Sequence, residues 1–271
     1  MSLVTINDYY LRDIANAIRS KLDVEDTYKP RQMGPAIRSI TTFSTGLDAG
    51  VKEFVERTLE GEVVVDCDYF GIYSFAEMND MTAITAPNAT SVKEYAFYSC
   101  NGLCSVNMPN VTLVDSDAFL KCWNLYSVNM PSLTEIRGNG FSEINAEVLT
   151  FPVIKTLRSY AISDNSNLAK IDLGSNLTNL ESECIENCPN LTAIIIRNPV
   201  VLPKIIEQGY PPFNLDQFFK GYEGEKPGYI YVPAAMIEKY ESFEYTYDSY
   251  GYDYWDYYTF RAIEDYPDIC G

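Results

Sequence analysis

The sequence predicts an α/β solenoid, in which parallel strands stack coil upon coil between a small N-terminal helical module and a C-terminal cap. The first observation is an internal repeat: the phrase of residues 95–109 returns as residues 117–131. The second is its constant period, because Phe97 and Phe119 are 22 residues apart, and so are Leu103 and Leu125. A fixed period of about 20–29 residues with Leu at set offsets is the mark of a leucine-rich-repeat solenoid. We therefore expect one strand in each coil of about 21–23 residues.

Weaker copies of the phrase extend the array in both directions. Phe75 marks an upstream copy, and Phe141, Ile162 and Ile185 mark three downstream copies. The copy that begins at Phe141 is one residue short. We expect about six repeats between residues 69 and 198, because no single coil can bury both of its flanks and neighbouring coils must stack.

Each coil is expected to turn its Leu, Val and Met side chains inward and the residues between them, such as Ser105 and Asn107, outward. Proline then ends the strand, since it has no amide hydrogen for the ladder. The A-F-x-x-C segment is predicted to form the opposite wall as a single helical turn. Left-handed backbone is predicted at the residue before the repeated leucine, which is Gly102, Asn124, Asn167 or Asn190.

The repeated phrase resembles the BspA-like class of leucine-rich repeats, because it reads A-F-x-x-C-x-x-L-x-x-V-x-x-P. The N-terminal segment looks like a module of phage and prophage tail-associated proteins of Firmicutes and reads T-I-N-D-Y-Y-L-R-D-I-A-N-A-I-R-S-K. The closing segment common after such repeats is similar to Y-I-Y-V-P-A-A-M-I-E-K-Y with the later F-R-A-I-E-D. These resemblances imply a non-enzymatic protein that binds surface ligands and attaches to a virion through residues 1–41.

The patterns divide the chain into a helical module, an N-terminal cap, the repeats and a C-terminal cap, at residues 1–41, 42–68, 69–198 and 199–271. In the first segment, Thr5 and Asp8 approximate a capping box at the start of one helix. Pro30 suits the first turn of a second helix. Two helices of this size bury little apolar surface alone, so the module is expected to dock on the solenoid or on a larger assembly.

Both caps carry short elements of their own. In the N-terminal cap, Asp48 begins a helix that is followed by a strand over residues 63–65. In the C-terminal cap, the period is lost after residue 198 and the prolines mark irregular chain. We then expect a strand over residues 230–232, a helix from Pro233, and packing of residues 260–263 against the end of the solenoid.

Charge and hydropathy exclude two classes of partner. The net charge is -18, whereas nucleic acids and anionic membrane surfaces attract Lys and Arg. No run of about 18 apolar residues occurs, so no membrane insertion is predicted, and no apolar signal-peptide core follows Met1. We expect a virion or cytoplasmic location, or an extracellular one if the sequence is a trimmed piece of a longer protein.

The residue inventory argues against catalysis. The chain has no histidine, which excludes Ser-His-Asp arrangements and His-based zinc sites, and it has no glycine-rich nucleotide-binding motif. We expect no enzyme activity, no cofactor and no metal. Of the seven cysteines, Cys100, Cys122 and Cys188 share one repeat position, where buried, reduced thiols are predicted. A disulfide or a metal role is the alternative.

An aromatic and acidic stretch at residues 240–258 is the first candidate binding site. Tyrosine-rich loops are typical of recognition surfaces, so a protein or a carbohydrate is the expected ligand, and residues 242–253 look like an insertion. One alternative is that Trp255, Tyr258 and Phe260 are core of the cap. Calcium binding by the aspartates is another, although the EF-hand spacing is missing. The candidate residues are Tyr245, Tyr247, Asp248, Tyr250, Tyr252, Asp253, Tyr254 and Tyr257.

The outward strand positions are the second candidate site. They form a small, polar stripe that suits either ligand contact or packing against another sheet. The candidate residues are Ser105, Asn107, Ser127, Asn129, Lys170 and Asp172.

These observations favour recognition over chemistry. The first hypothesis is a phage or prophage tail-associated module that binds a host surface through the solenoid and the Tyr-rich loop. The alternative is a bacterial cell-surface adhesion protein that binds host or cell-wall ligands, and a third is an intracellular scaffold. The expected partner is a protein or glycan on a cell surface, with a virion partner at residues 1–41.

Overall fold

The structure, a computed structural model, describes residues 59–206, 210–242 and 258–271 and the backbone of residues 4–7. It confirms the solenoid. The chain winds through about seven coils, and the strands of the described sheets all pair in parallel, with partner residues usually 22 or 23 positions apart. The expectation of one strand per coil is wrong, because a coil contributes up to three short strands, one to each side of the stack. The fold is therefore mostly strand, with a small helical part.

Two five-stranded sheets follow one another along one side of the solenoid, which we call the front. The first contains β1 (Val4–Asn7), β2 (Gly61–Asp66), β4 (Met81–Thr85), β6 (Ser105–Asn107) and β8 (Ser127–Asn129). The second contains β10 (Val148–Thr150), β13 (Lys170–Asp172), β16 (Ala193–Ile195), β19 (Tyr229–Val232) and β20 (Phe260–Ala262).

The other two sides carry shorter strands. A seven-stranded sheet contains β3 (Tyr69–Phe70), β5 (Ser91–Val92), β7 (Leu113–Val114), β9 (Glu135–Ile136), β11 (Thr156–Leu157), β14 (Asn179–Glu181) and β17 (Lys204–Ile206). A three-stranded sheet contains β12 (Ile162–Ser163), β15 (Ile185–Glu186) and β18 (Phe213–Asn214). The described helices are α1 (Ile237–Glu241), α2 (Pro267–Cys270) and the 3-10 helices Asp216–Phe218, Ala234–Met236 and Ile263–Asp265.

A column of stacked phenylalanines runs through the core and confirms the predicted alignment of the repeats. The ring centroids of Phe97 and Phe119 are 5.0 Å apart, and those of Phe119 and Phe141 are 5.2 Å apart, with nearly parallel planes. Phe75 continues the column at 5.3 Å from Phe97. All four side chains are fully buried. Each coil therefore depends on its neighbours for burial of its largest side chain.

The predicted helical turn in A-F-x-x-C is wrong, because the segment is a run of tight turns. Tyr95 and Ser99 have left-handed backbone, with φ of 56° and 57°. Their amides donate to the next coil, Tyr95 to Ser116 O and Ser99 to Leu120 O. The Tyr98 amide between them donates to Tyr95 O within the same turn. Left-handed residues interrupt an α-helix. The backbone amides of this segment therefore alternate between hydrogen bonds inside the coil and hydrogen bonds to the next coil.

The residues before the repeated leucine do not adopt the left-handed backbone predicted for them. The asparagines at this position connect coils instead. Asn124 Nδ2 donates to Asn101 O at 2.6 Å, and Asn167 and Asn190 donate in the same direction, to the preceding coil. Gly102 is needed for close approach, because a Cβ there would lie 1.9 Å from a backbone oxygen of the preceding coil.

The one-residue shortening interrupts the front. Leu149 follows Val128 by 21 residues, and a one-residue slip in a continuous ladder would turn its side chain outward. Leu149 instead stays buried, with Val148 and Thr150 exposed on either side of it. The ladder is lost in exchange, since β8 and β10 belong to separate sheets. We call this break between β8 and β10 the register fault.

The core remains filled across the register fault. Ala146 stands at the position of the repeated leucine, and Phe151 stands at the position of the repeated methionine. Both side chains are fully buried, and the Phe151 ring lies 5.7 Å from Phe141. The Asn145 amide donates to Leu125 O at 2.9 Å and ties the two halves together. The core volume lost at Ala146 is thus filled by the larger side chain of Phe151 in the same coil.

At the N-terminus, β1 extends the first front sheet by pairing with β2, with Val4 opposite Val63. The strand runs through Thr5 to Asn7, so the helix start predicted at Thr5 is wrong. The strand predicted over residues 63–65 is confirmed within β2. The helices predicted in residues 8–41 and from Asp48 lie outside the described residues.

At the C-terminus, stacking continues past residue 198 instead of becoming irregular, because β17, β18 and β19 pair with β14, β15 and β16. The strand predicted over residues 230–232 is confirmed within β19. The helix predicted from Pro233 forms as the 3-10 helix followed by α1. Residues 260–263 pack back as predicted, since β20 pairs with β19. Gln217 is buried in this cap, and its amide donates to the carbonyls of Cys188 and Leu191.

The shared cysteine position is buried, as predicted. The Cys100 thiol donates to Phe75 O at 3.0 Å and the Cys122 thiol to Phe97 O at 3.1 Å. Cys188 is also fully buried, and all seven cysteines are free thiols. The structure therefore records no disulfide among them.

Candidate functional site

The exposed front face of the first sheet brings four predicted site residues together. Register places Ser105 beside Ser127 and Asn107 beside Asn129. Asn129 Nδ2 donates to Asn107 Oδ1 at 2.7 Å. Ser105 is half-buried and the other three are exposed. We call these four residues the Ser–Asn array.

The Ser–Asn array is uncharged and rich in hydrogen-bonding capacity. An asparagine amide has two donors and an acceptor oxygen, and a serine hydroxyl donates and accepts. The single bond between the two amides leaves further donors and acceptors directed to solvent. Half-buried Thr85 and exposed Thr150 lie on the same face of neighbouring strands and extend its polar character. Such a surface is suited to hydrogen bonding with a polar ligand.

Lys170 and Asp172 occupy equivalent positions further along the front, but the C-terminal segment contacts Lys170 directly and is linked to Asp172 through Arg197. Lys170 Nζ donates to Ile269 O at 3.1 Å. Arg197 pairs with the Asp172 carboxylate at 2.7 Å and also donates to Cys270 O. The hydrogen bonds to Asp172 raise the pKa of the Arg197 guanidinium above its ordinary value. These contacts make Lys170 and Asp172 part of the C-terminal cap.

The same segment covers the strands beyond them. The side chains of Ala193, Ile195, Tyr231 and Cys270 form a buried cluster on the outward side of the second front sheet. The Arg261 guanidinium lies 3.3 Å from the centre of the Tyr229 ring, where a cation–π contact forms. The open part of the front therefore ends near the register fault, and the Ser–Asn array lies within it.

The eight Tyr-rich candidates, from Tyr245 to Tyr257, lie outside the described residues. The ends of that stretch are firmly packed. Tyr240 lies 4.9 Å from Phe260, ring centre to ring centre. The Tyr258 hydroxyl bonds to both the amide and the carbonyl of Phe213 at 3.1 Å. Tyr258 and Phe260 are thus core of the cap, as one of the three interpretations predicted, and Trp255 is outside the described residues.

Sequence reasoning missed a groove of about 910 Å³ at the rim of the front, beside the register fault. The residues that line it stand just before the strands of successive coils. We call it the fault groove; its polar and aromatic lining consists chiefly of Tyr126, Asn145, Glu147, Asn167, Asn190 and Lys226. The only sequence signal was the missing residue in the copy that begins at Phe141.

Two tyrosines and one buried cysteine have pKa values raised above their ordinary range. Burial and the nearby Asp117 raise the pKa of Tyr95 to about 12, and a 2.7 Å hydrogen bond to Glu183 raises the pKa of Tyr160 to about 12. Burial raises the pKa of the Cys188 thiol to about 12. A protonated, buried thiol is a poor nucleophile. Among the described residues, no three acidic or cysteine side chains are placed to share a metal ion.

A capped stack of leucine-rich coils with one open polar face defines the class of leucine-rich-repeat solenoids. The sequence matches the BspA type leucine rich repeat region in six copies, over residues 65–152 and 90–204. Together these ranges span residues 65–204, which is 140 of the 271 residues, so the chain belongs to this family. The resemblance of residues 1–41 to a phage-tail module remains a prediction. No curated protein sequence matches the chain.

Three solved structures are similar in fold. A leucine rich cell surface protein from Faecalibacterium prausnitzii is 14% identical with a TM-score of 0.38, over 60% of this chain and 62% of that one. A leucine-rich repeat protein from Bacteroides ovatus is 18% identical with a TM-score of 0.43, over 62% and 54%. The pneumococcal vaccine antigen PcpA is 14% identical with a TM-score of 0.40, over 67% and 38%. The chain thus spans less than two thirds of each structure. No helix in the described part of the chain is long and apolar enough to cross a bilayer.

Proposed function

We propose that this protein is a non-enzymatic recognition module that binds a protein or glycan on a cell surface through the open front face. The observation that carries the proposal is the Ser–Asn array, in which exposed amides and hydroxyls from adjacent coils are held in one plane by the ladder of β6 and β8. Rigid placement of polar groups reduces the entropy lost on binding.

The covering of Lys170 and Asp172 supports the choice of the array as the contact surface. Asp172 already pairs with Arg197 and Lys170 already donates to the Ile269 carbonyl, whereas the array is uncharged and open to solvent. An uncharged contact surface on an acidic protein suits a ligand recognised by hydrogen bonds rather than by long-range attraction. The Tyr-rich stretch is a second contact surface in this proposal, supported by its composition.

Two carriers of this function are proposed. Attachment to a phage or prophage tail through residues 1–41 is supported by the resemblance of the N-terminal segment. Display on a bacterial surface as an adhesion protein is the alternative, and an intracellular scaffold is the third candidate. Tail genes beside this gene would favour the first, and an export signal or wall anchor in the complete gene would favour the second.

Cell binding by front-face variants tests the proposal. Fluorescently labelled protein is incubated with intact bacteria and with epithelial cells, and bound label is measured against concentration. We expect Ser127→Arg and Asn129→Arg to weaken binding about tenfold or more, because a long charged side chain covers the array. Asn176→Arg, at an exposed asparagine in the loop between β13 and β14, is the matched control and should bind normally. Equal binding by all three variants would refute the array as the contact surface.

Deletion of residues 242–253 tests the Tyr-rich stretch separately. A loss of cell binding in the deletion variant, with an unchanged melting temperature, is the expected result. Binding equal to that of the intact protein would remove the candidates within the deletion from the proposed contact surface, which are Tyr245, Tyr247, Asp248, Tyr250, Tyr252 and Asp253.

A further inference from the structure

The register fault creates the fault groove. Elsewhere on the front, backbone bonds such as Met108 N–H to Asn129 O join each strand to the next. Between β8 and β10 that ladder is missing. Just before β10, the backbone N–H of Asn145 donates to Leu125 O of the preceding coil instead. Tyr126, the last residue before β8, and Glu147, the last before β10, line the opening on either side of the break.

The groove has an aromatic platform at the break. The Tyr126 side chain is 60% exposed, and it lines the groove directly beside the register fault. Val148, also exposed, lies beside it on the far side of the fault. An exposed ring offers a flat apolar surface with a hydroxyl at its edge. This is the surface on which the C–H face of a pyranose ring stacks.

Amide groups line the rest of the groove at one-coil intervals. Asn167 Nδ2 donates to Asn145 Oδ1, and Lys226 Nζ donates to Asn190 Oδ1 at 3.2 Å. Each amide makes fewer bonds in these contacts than its donors and acceptors allow. A row of partly used amides matches a row of sugar hydroxyls, since a hydroxyl both donates and accepts.

The charges of the groove are balanced. Glu147 contributes one negative charge and Lys226 one positive charge, and the Glu147 carboxylate makes no ion pair with a described residue. Phosphate or sulfate groups would need an excess of Lys or Arg. The groove is therefore built for an uncharged ligand.

We propose that the fault groove binds an uncharged oligosaccharide, with a sugar ring stacked on Tyr126 and its neighbours hydrogen-bonded to the amides of Asn145, Asn167 and Asn190. This inference rests on the proposed function, because it names the ligand class for a site on the same surface. The groove volume lies near the top of the usual range of about 300–1,000 Å³ for small-molecule sites, which favours several linked sugars over one.

A peptide is the competing occupant, and the lining argues against it. Peptide and protein partners anchor through large side chains that enter fully desolvated apolar pockets. Here the apolar lining is one exposed ring with Val148 and Ala169, and the remaining side chains are polar. An oligosaccharide needs no such pocket.

The experiment is a glycan array of neutral and acidic oligosaccharides probed with the full chain, followed by calorimetric titration of the best neutral ligand. We expect neutral glycans to bind, Tyr126→Ala to weaken affinity about tenfold or more, and Tyr126→Phe to keep affinity within about threefold, because the ring remains. Tyr69→Ala removes a ring that is 49% exposed and belongs to another part of the solenoid, so it should bind normally. Circular dichroism and melting temperature confirm that each variant is folded.

The outcomes separate this inference from the proposed function. Binding to no neutral glycan, binding only to acidic glycans or peptides, or equal affinity of Tyr126→Ala and the unchanged protein would each overturn the groove inference. If cell binding is still lost in Ser127→Arg, the proposed function stands without the groove. If cell binding is unaffected by every front-face substitution while Tyr126→Ala alone loses glycan affinity, the groove inference stands and the array proposal fails.

Discussion

Phe119 is the most informative position at which to test the stacking of the coils. Its ring is fully buried between Phe97 at 5.0 Å and Phe141 at 5.2 Å. Replacing a buried Phe by Ala costs about 3–5 kcal/mol through lost transfer free energy and the cavity left behind. Because Phe119→Ala also removes two stacked pairs, each worth about 0.5–1.5 kcal/mol, we expect a loss in the upper half of that range. Phe119→Leu keeps most of the apolar volume and should cost about 1–2 kcal/mol.

Urea unfolding followed by circular dichroism measures the free-energy change, and amide hydrogen exchange locates it. Nearest-neighbour stacking predicts that protection falls first at amides of the adjoining coils, such as Phe97 N–H, which donates to Ala118 O at 2.8 Å. Trp123→Ala, at a side chain 54% exposed in the same coil, is the control and should change stability by less than about 1 kcal/mol. A loss below about 1 kcal/mol for Phe119→Ala, or an equal loss of protection along the whole solenoid, would refute the reasoning.

Two further predictions concern pH and close packing. Burial and the neighbouring Glu183 and Asp164 raise the pKa of Glu186, so protonation of Glu186 favours the folded state. The stabilisation by the protonated form is present below the unfolded pKa of about 4.3. It is lost as pH rises through the folded pKa. Glu186→Gln should therefore raise the melting temperature at pH 7 and leave it unchanged near pH 3, whereas an equal shift at both pH values would contradict the assignment. Gly102→Ala places a Cβ 1.9 Å from a backbone oxygen and should cost more than about 2 kcal/mol in urea unfolding, while Gly71→Ala, which has open space, should change stability by less than about 0.5 kcal/mol; similar values for the two would show that the coils can separate freely.

Much of the fold could be predicted because the repeat places equivalent side chains at equal intervals. The column through Phe97, Phe119 and Phe141 and the outward positions Ser105 and Asn107 follow from period and alternation alone. The prediction failed where local conformation depends on a neighbouring coil. Turn residues such as Tyr95 adopt left-handed backbone because their amides bond across to the next coil, and such bonds leave no mark in the residue types.

Part of the candidate site could also be predicted from the sequence, and part of it could not. The Ser–Asn array could be predicted, because strand alternation directs Ser127 and Asn129 to solvent. The covering of the front near Lys170 could not, since it depends on a C-terminal segment that returns from far along the chain and accepts hydrogen bonds from Lys170 and Arg197. The fault groove also escaped prediction, although the missing residue that causes it was visible.

By itself the sequence determined the period, the inward and outward faces and the stacking of the coils, because burial of a repeated apolar pattern has one economical solution. The tertiary structure decided where the stack breaks and which part of the front stays open. The break depends on the balance between burial of Leu149 and continuity of the strand ladder. The extent of the open front depends on contacts such as that of Lys170 with the backbone of Ile269. Both involve residues that come together only when the chain is folded.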